Sequence, residues 1–216
     1  MVDIAVIDYG MGNLRSVHHA LATVAPHASI VVTGDPAVVA KAGRVVFPGQ
    51  GAMPDCMREL DARNLRNAVL EAAKSKPFLG ICIGLQMLFE RSAEGDVPCL
   101  GVLPGRVVRF AHDLHDAQGN RLKVPHMGWN QVRHASANHE SHPMWQDIAQ
   151  DERFYFVHSY YVQTEDATLV QAECNYPEPF VCAVARANLF AVQFHPEKSH
   201  TAGLQLLRNF VNWNPV

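Results

Sequence analysis

The sequence predicts an α/β fold: a mainly parallel sheet flanked by helices, with an antiparallel extension on the same sheet. In the first half, short apolar runs alternate with stretches whose apolar residues repeat at helical spacing. Glycine-rich turns follow the apolar runs at 9–13, 48–52 and 81–84. The second half changes to short β-rich runs separated by Gly, Pro and Asn. Strand–helix alternation argues a parallel sheet, and the later runs argue strands laid antiparallel against it.

Taken in order, Val2 to Ile7 reads as a buried strand and Tyr9-Gly-Met-Gly-Asn13 as a turn. Leu14 to Val24 is a helix, with Leu14, Val17, Leu21 and Val24 on one side. Ile30 to Thr33 is a strand, Pro36 to Lys41 a short helix, and Val45 to Phe47 a strand that runs into "PGQGAM". Helices near Pro54 to Leu60 and Leu65 to Lys74 follow. Phe78 to Ile81 is a strand and Leu85 to Glu90 the start of a helix. From Pro98 to Val132 and from Phe154 to Phe194 the runs are short and β-rich, and Leu204 to Trp213 is a closing helix. Residues 111–121 and 134–142 are polar, histidine-rich and expected to be surface loops. With no repeat or low-complexity linker, residues 1–216 are expected to be a single domain. In a parallel sheet the ligand crevice lies beyond the carboxyl ends of the strands, so the three glycine turns are expected to line one edge.

Composition narrows the function. A formal charge of −3 gives no basic footprint, which argues against nucleic acid and anionic membrane as partners. Five cysteines, at 56, 82, 99, 174 and 182, show no CxxC pairing; this argues against a disulfide framework or zinc knuckle and for a reducing, cytoplasmic setting. No apolar run is long enough to span a membrane, and the amino terminus does not read as a leader.

The stretch "PFLGICIGLQML" places Cys82 between Gly80 and Gly84 at a strand-to-helix turn. Such a turn pushes the middle side chain outward and needs small neighbours, as in a nucleophile elbow. A buried structural cysteine at a tight turn fits the same letters. A nucleophilic thiol needs a base and oxyanion donors. "LFAVQFHPEKS" offers His195 at the end of an apolar strand, with Glu197 two residues on and on the same side if the chain stays extended. Pro196 restrains His195 to an extended conformation. Two surface polar residues at a strand end fit these letters too. Donor candidates are the Ile83 amide, directly after the thiol, and the amide of Gln50 or Gly51 in the glycine turn. "YGMGN" lacks the third glycine of a dinucleotide fingerprint, which argues against cofactor binding there.

Gly80-Ile-Cys82-Ile-Gly84-Leu-Gln86, together with Phe194-His195-Pro196-Glu197, resembles the class I (triad) glutamine amidotransferases, whose fold is flavodoxin-like. "DYGMGNLRSV", "PGQGAM", "PHMGWN", "HSYYV" and "QFHPEKS", in family order from residue 8 to 199, resemble the branch that makes ammonia for histidine biosynthesis. The resemblance implies Cys82 as nucleophile, His195 as acid and base, and Glu197 as its orienter. It implies that Gln86, Gly51 and the backbone at Ser159 and Tyr160 hold the substrate, glutamine. Met127, Gly128, Trp129, Asn130 and Lys198 would face a partner cyclase with a (β/α)8 barrel, forming a heterodimer. No cofactor and no metal are implied. Gln50 departs from the family pattern, which often has a small or branched apolar residue there; this bears only on which amide donates.

A cysteine peptidase of the same architecture and a binding subunit without activity are the rival readings. The first leaves Glu197 unexplained, and the intact Cys82, His195 and Glu197 speak against the second. The pairs His112/His115 and His139/His142 suggest metal ligands, but exposed loop histidines are far commoner. Cys56, Cys99, Cys174 and Cys182 are expected to be small buried hydrophobes in helices or strands. Trp129 fits a subunit contact or the core equally.

Overall fold

The computed structural model describes residues 2–116, 118–135 and 142–215. Strands β1 (Ile4–Ile7), β2 (Ile30–Thr33), β3 (Arg44–Gly49) and β4 (Phe78–Cys82) alternate with helices α1 (Leu14–Val24), α2 (Pro36–Lys41), α3 (Met53–Ala62) and α4 (Arg66–Ser75). β1 and β4 are buried along their whole length, because helices cover both sheet faces there. Asp35 caps α2 by accepting the Ala37 amide at 2.8 Å, and Pro36 supplies a first helical residue that needs no donor.

One prediction is corrected after β4. Leu85 to Glu90 does not start a long helix: α5 (Ile83–Gln86) is a single turn, and the chain turns through Glu90. The carbonyls that would continue the helix are taken. Met87 accepts the Leu100 amide, Leu88 those of Val102 and Leu103, and Phe89 that of Gly101, all at 2.8–2.9 Å. A packed loop replaces the next helical turn.

The second half supplies β5 (Arg91–Ser92), β6 (Val97–Pro98), β7 (Arg106–Arg109), β8 (His126–His134) and β9 (Glu152–His158). It continues with β10 (Tyr160–Gln163), β11 (Val170–Asn175), β12 (Pro179–Arg186), β13 (Leu189–Val192) and the closing α6 (His200–Asn212). The order β2-β1-β3-β4-β13 is parallel throughout, and β12 then pairs antiparallel with β13 and leads out through β10 and β7 to β5 and β6. β8 pairs with β9 and β11, folding the hairpin β8–β9 over one end. The sheet is therefore mixed, with parallel strands flanked by helices and an antiparallel extension. Parallel strands put their carboxyl ends on one edge, so the turns after β1, β3 and β4 meet, and Gly12 lies against Gly49.

Two smaller expectations change. Cys99 lies in the loop after β6 rather than in a helix or strand, although it is buried like the others. His134 and His142 are not exposed loop residues: His134 ends β8 and stacks on Trp145, and His142 packs beside Phe190 and Trp213. His139 lies outside the described residues. Among the described residues no group of three or more His, Cys, Asp or Glu is placed to hold a metal, and no helix is long and apolar enough to cross a membrane.

Candidate active site

Cys82 ends β4 with φ 55° and ψ −110°, a conformation that L-residues avoid and that tight surroundings must hold in place. The flanking glycines explain how the chain gets there. A Cβ on Gly84 would lie 1.8 Å from the Phe47 carbonyl oxygen, and one on Gly80 would lie 2.9 Å from the Ala191 side chain. Either larger residue would push β4 off its neighbours. The thiol is turned out of the sheet into a cavity of about 240 Å3.

Residues far apart in sequence line that cavity. Gln50 and Gly51 come from the turn after β3, Ile83 and Gln86 from α5, Ser159 and Tyr160 from the β9–β10 junction, and His195 from beyond β13. The cavity thus gathers every residue expected to act on or hold a substrate except Glu197, which stands directly behind His195. Gly51 adopts φ +113°, which favours glycine.

His195 Nδ1 lies 2.9 Å from Glu197 Oε1, and both side chains are almost wholly buried. The contact arises by a different route from the one expected. Residues Pro196–Lys198 form a 3-10 turn instead of continuing extended, and the turn brings the carboxylate back under the ring. His195 itself is extended, as Pro196 requires. The turn is stitched to β9: the His195 amide donates to the Tyr155 carbonyl at 2.9 Å, and Ser199 Oγ donates to the His195 carbonyl at 2.6 Å while accepting the Tyr155 amide at 3.0 Å. Burial works against a charged imidazole here, but the sulfur of Cys82 and the carboxylate of Glu197 outweigh it and push the His195 pKa up to about 10. Nε2 of His195 has no hydrogen-bond partner among the described residues and is open to a reacting group.

Three residues at the site went unnoticed in the sequence. Glu94 lines the cavity, with one carboxylate oxygen accepting the Met53 amide at 2.8 Å. His158 also lines it, and its Nδ1 donates to the Tyr160 carbonyl at 2.8 Å. Gln193 is fully buried, with its amide nitrogen 3.7 Å from Cys82 Sγ. The signal for Gln193 was present: one polar residue inside the apolar run "LFAVQF", two places before His195 and so on the same side. Glu94 carried no comparable signal, since its loop has no periodicity.

The residues expected at a partner contact lie on β8 and beyond β13. Met127 and Trp129 point outward, 61% and 40% exposed, as few large apolar residues here are. Trp129 stacks on His200 with ring centroids 5.0 Å apart, and Lys198 Nζ lies 5.8 Å from the centre of the Tyr155 ring. Gly128 and Asn130 alternate to the other side of the strand, where Asn130 donates to the Asn175 carbonyl at 2.9 Å.

A strained thiol at a parallel-strand end thus stands at an amino-acid-sized cavity with a buried His–Glu pair. The model of the class-I glutamine amidotransferases matches residues 5–213, and the chain belongs to that family of enzymes. Curated relatives are more particular. The chain is 64% identical to the imidazole glycerol phosphate synthase subunit HisH of Thiobacillus denitrificans, over 99% of this chain and 92% of that protein. It is 65% identical to the protein of the same name from Aromatoleum aromaticum, over the whole of both. Solved structures share the fold at low identity. One titled a glutamine amidotransferase superposes with a TM-score of 0.71 at 16% identity, covering 97% of each chain. The glutaminase domain of Trypanosoma brucei CTPS superposes with a TM-score of 0.64 at 15% identity, covering 100% of this chain and 96% of that one.

Proposed function

We propose that the chain is the glutaminase subunit of an imidazole glycerol phosphate synthase. It hydrolyses glutamine to glutamate and ammonia, and the ammonia passes to a cyclase subunit that makes imidazole glycerol phosphate and AICAR in histidine biosynthesis. The observation that carries this reading is the thiol of Cys82 sharing one small cavity with His195, whose ring is backed by Glu197. The cavity suits a single amino acid rather than a polypeptide, which disfavours a peptidase. The full-length likeness to HisH subunits supports the choice of pathway.

In this reading the Cys82 sulfur attacks the γ-amide carbon, and the carbonyl electrons move onto oxygen. The amide of Ile83 and one from Gln50 or Gly51 hold that oxyanion. His195 gives its proton to the departing nitrogen, because an amide anion does not leave, and ammonia is released as the γ-glutamyl thioester forms. Water, losing a proton to His195, attacks the thioester; the sulfur leaves and glutamate is freed. Glu197 keeps the imidazole oriented and favours its charged form. At the other end of the substrate, the buried Oε1 of Gln86 has no partner among the described residues and offers itself to the α-ammonium, as does the Glu94 carboxylate. The backbone at Ser159 and Tyr160 takes the α-carboxylate. Every step is carried by groups of the chain, so the reading calls for no metal or cofactor.

Met127, Trp129 and Lys198, with Gly128 and Asn130 on the same strand segment, form the contact with the cyclase, a (β/α)8 barrel, in a heterodimer. Residues 1–216 act as one amidotransferase domain in the cytoplasm, a reducing setting that suits five free cysteines. The decisive experiment replaces Cys82 with alanine in the assembled synthase. Glutamine-dependent turnover should fall by at least about a thousandfold, while ammonium salt at high pH should restore synthesis. Retained glutamine hydrolysis would remove Cys82 from its role, and failure of ammonia to substitute would remove the ammonia-supply reading.

A further inference from the structure

A chain of buried polar groups runs from β8 to the thiol, and the reaction above uses only part of it. His126, His158, Gln86 and Gln193 are 3%, 6%, 1% and 0% exposed, so each of their polar atoms has to find a partner inside the protein or in the cavity. The chemistry of one atom sets the direction of all. The Tyr160 carbonyl can only accept, so His158 Nδ1, 2.8 Å away, carries a proton. Neutral His158 then has Nε2 as an acceptor, and it takes the Nδ1 proton of His126 at 2.9 Å. His126 Nε2 is left to accept from the Asn130 side-chain amide at 3.2 Å. Burial pushes the pKa of His126 down to about 4 and that of His158 to about 3, so both rings are neutral at pH 7 and the alternation holds.

The same carbonyl orients the other branch. Gln86 Nε2 donates to it at 3.0 Å and to Gln193 Oε1 at 3.0 Å. Turning the Gln86 amide over would set two carbonyl oxygens face to face, and turning Gln193 over would set two NH2 groups face to face. Gln193 therefore has only its NH2 group to offer its remaining neighbour, and that neighbour is Cys82 Sγ at 3.7 Å.

We propose that Gln193 is a further catalytic residue, donating a hydrogen bond to the attacking sulfur, and that Gln86, His158 and His126 are positioning residues that impose its orientation. A donor aimed at sulfur favours the thiolate over the thiol, independently of His195. It also favours the thiolate again when sulfur leaves the γ-glutamyl group in the hydrolysis step. The proposal rests on Cys82 being the nucleophile. Other titratable groups near the sulfur are His195, Tyr9, Cys56 and Glu94. Tyr9 and Cys56 are kept protonated by burial, Cys56 with a pKa of about 11.

The test reads the thiol and not the turnover. The rate of Cys82 alkylation by iodoacetamide is followed from pH 5 to pH 10 by mass spectrometry of the Cys82 peptide, with Cys82→Ala as the blank. Gln193→Leu and Gln193→Met both keep the bulk, remove the donor and add no charge. Both should slow alkylation at pH 6 by roughly three- to tenfold, the worth of one hydrogen bond to a charged group at this length, with rates converging at high pH. If one variant fails to fold, the other decides. His158→Phe should shift the profile the same way but less, and the double variant with Gln193→Leu should go no further than Gln193→Leu alone. An unchanged profile in the Gln193 variants overturns the proposal, and additive shifts overturn the link through His158. Because alkylation needs no glutamine, either failure leaves the glutaminase reading to its own test.

Discussion

In the proposed mechanism Cys82, His195 and Glu197 divide the work unequally. On that proposal, replacing His195 removes both the group that takes the thiol proton and the group that protonates the leaving nitrogen. Glu197→Gln removes a charge and leaves a side chain of the same shape against Nδ1. His195→Ala should therefore cost nearly as much glutamine turnover as Cys82→Ala, and Glu197→Gln clearly less, with kcat rather than KM carrying the loss. Steady-state kinetics of the three variants in the complex test this; near-zero effects at both His195 and Glu197 would dissolve the triad. These three residues were legible in the sequence because each sits in a short motif with its own stereochemical reason. His158 and Glu94 were not, because neighbours distant in sequence bring them to the cavity, and Gln193 showed its place in the run without its partner. A lone glutamine in an apolar run becomes informative only once β13 is laid beside β4.

The elements were legible where the period was clean. α1 and α2 were expected within the bounds they have, since Leu14, Val17 and Leu21 mark one face and Asp35-Pro36 marks a start. The stretch after Cys82 was misread because its apolar residues satisfy either a helix or a packed loop, and only the amides of Leu100 to Leu103 decide between them. The β8–β9 hairpin places two buried neutral histidines opposite each other, His126 and His158, and this has a measurable consequence. In the unfolded chain both take up protons near the ordinary histidine value of about 6.5, while the folded chain refuses them until about pH 4 and pH 3. The unfolded state thus binds more protons across that window, so stability drops as pH falls below 6.5. The urea midpoint should be lower at pH 5 than at pH 7, and His126→Phe should flatten the difference. An equal midpoint at the two pH values would mean that the histidines are not held neutral. His195 acts with the opposite sign: its raised pKa contributes stability that is complete below about 6.5 and is lost as pH climbs toward 10.

At the scale of the molecule, the sheet divides labour between its halves. The parallel strands deliver the thiol and the glycine turn to one edge, and the antiparallel extension delivers Ser159, Tyr160 and the outward face of β8. Trp129 and Met127 expose apolar surface beside the cation of Lys198, a combination that suits the centre of a protein interface. Trp129→Ala should weaken association with the cyclase subunit by tenfold or more, a loss of about 1.4 kcal/mol or greater, without lowering the melting temperature of the isolated chain. Calorimetric titration of the two subunits checks it; unchanged affinity would move the interface elsewhere. The stitching of His195 and Ser199 to Tyr155 gives this surface a second meaning. Tyr155 faces Trp129 across the hairpin, and its carbonyl and amide anchor the turn that carries the imidazole. Hairpin and imidazole thus share one anchor, Tyr155. In the proposed complex, a cyclase subunit seated on Trp129 would bear on the same strand pair that holds His195 in place.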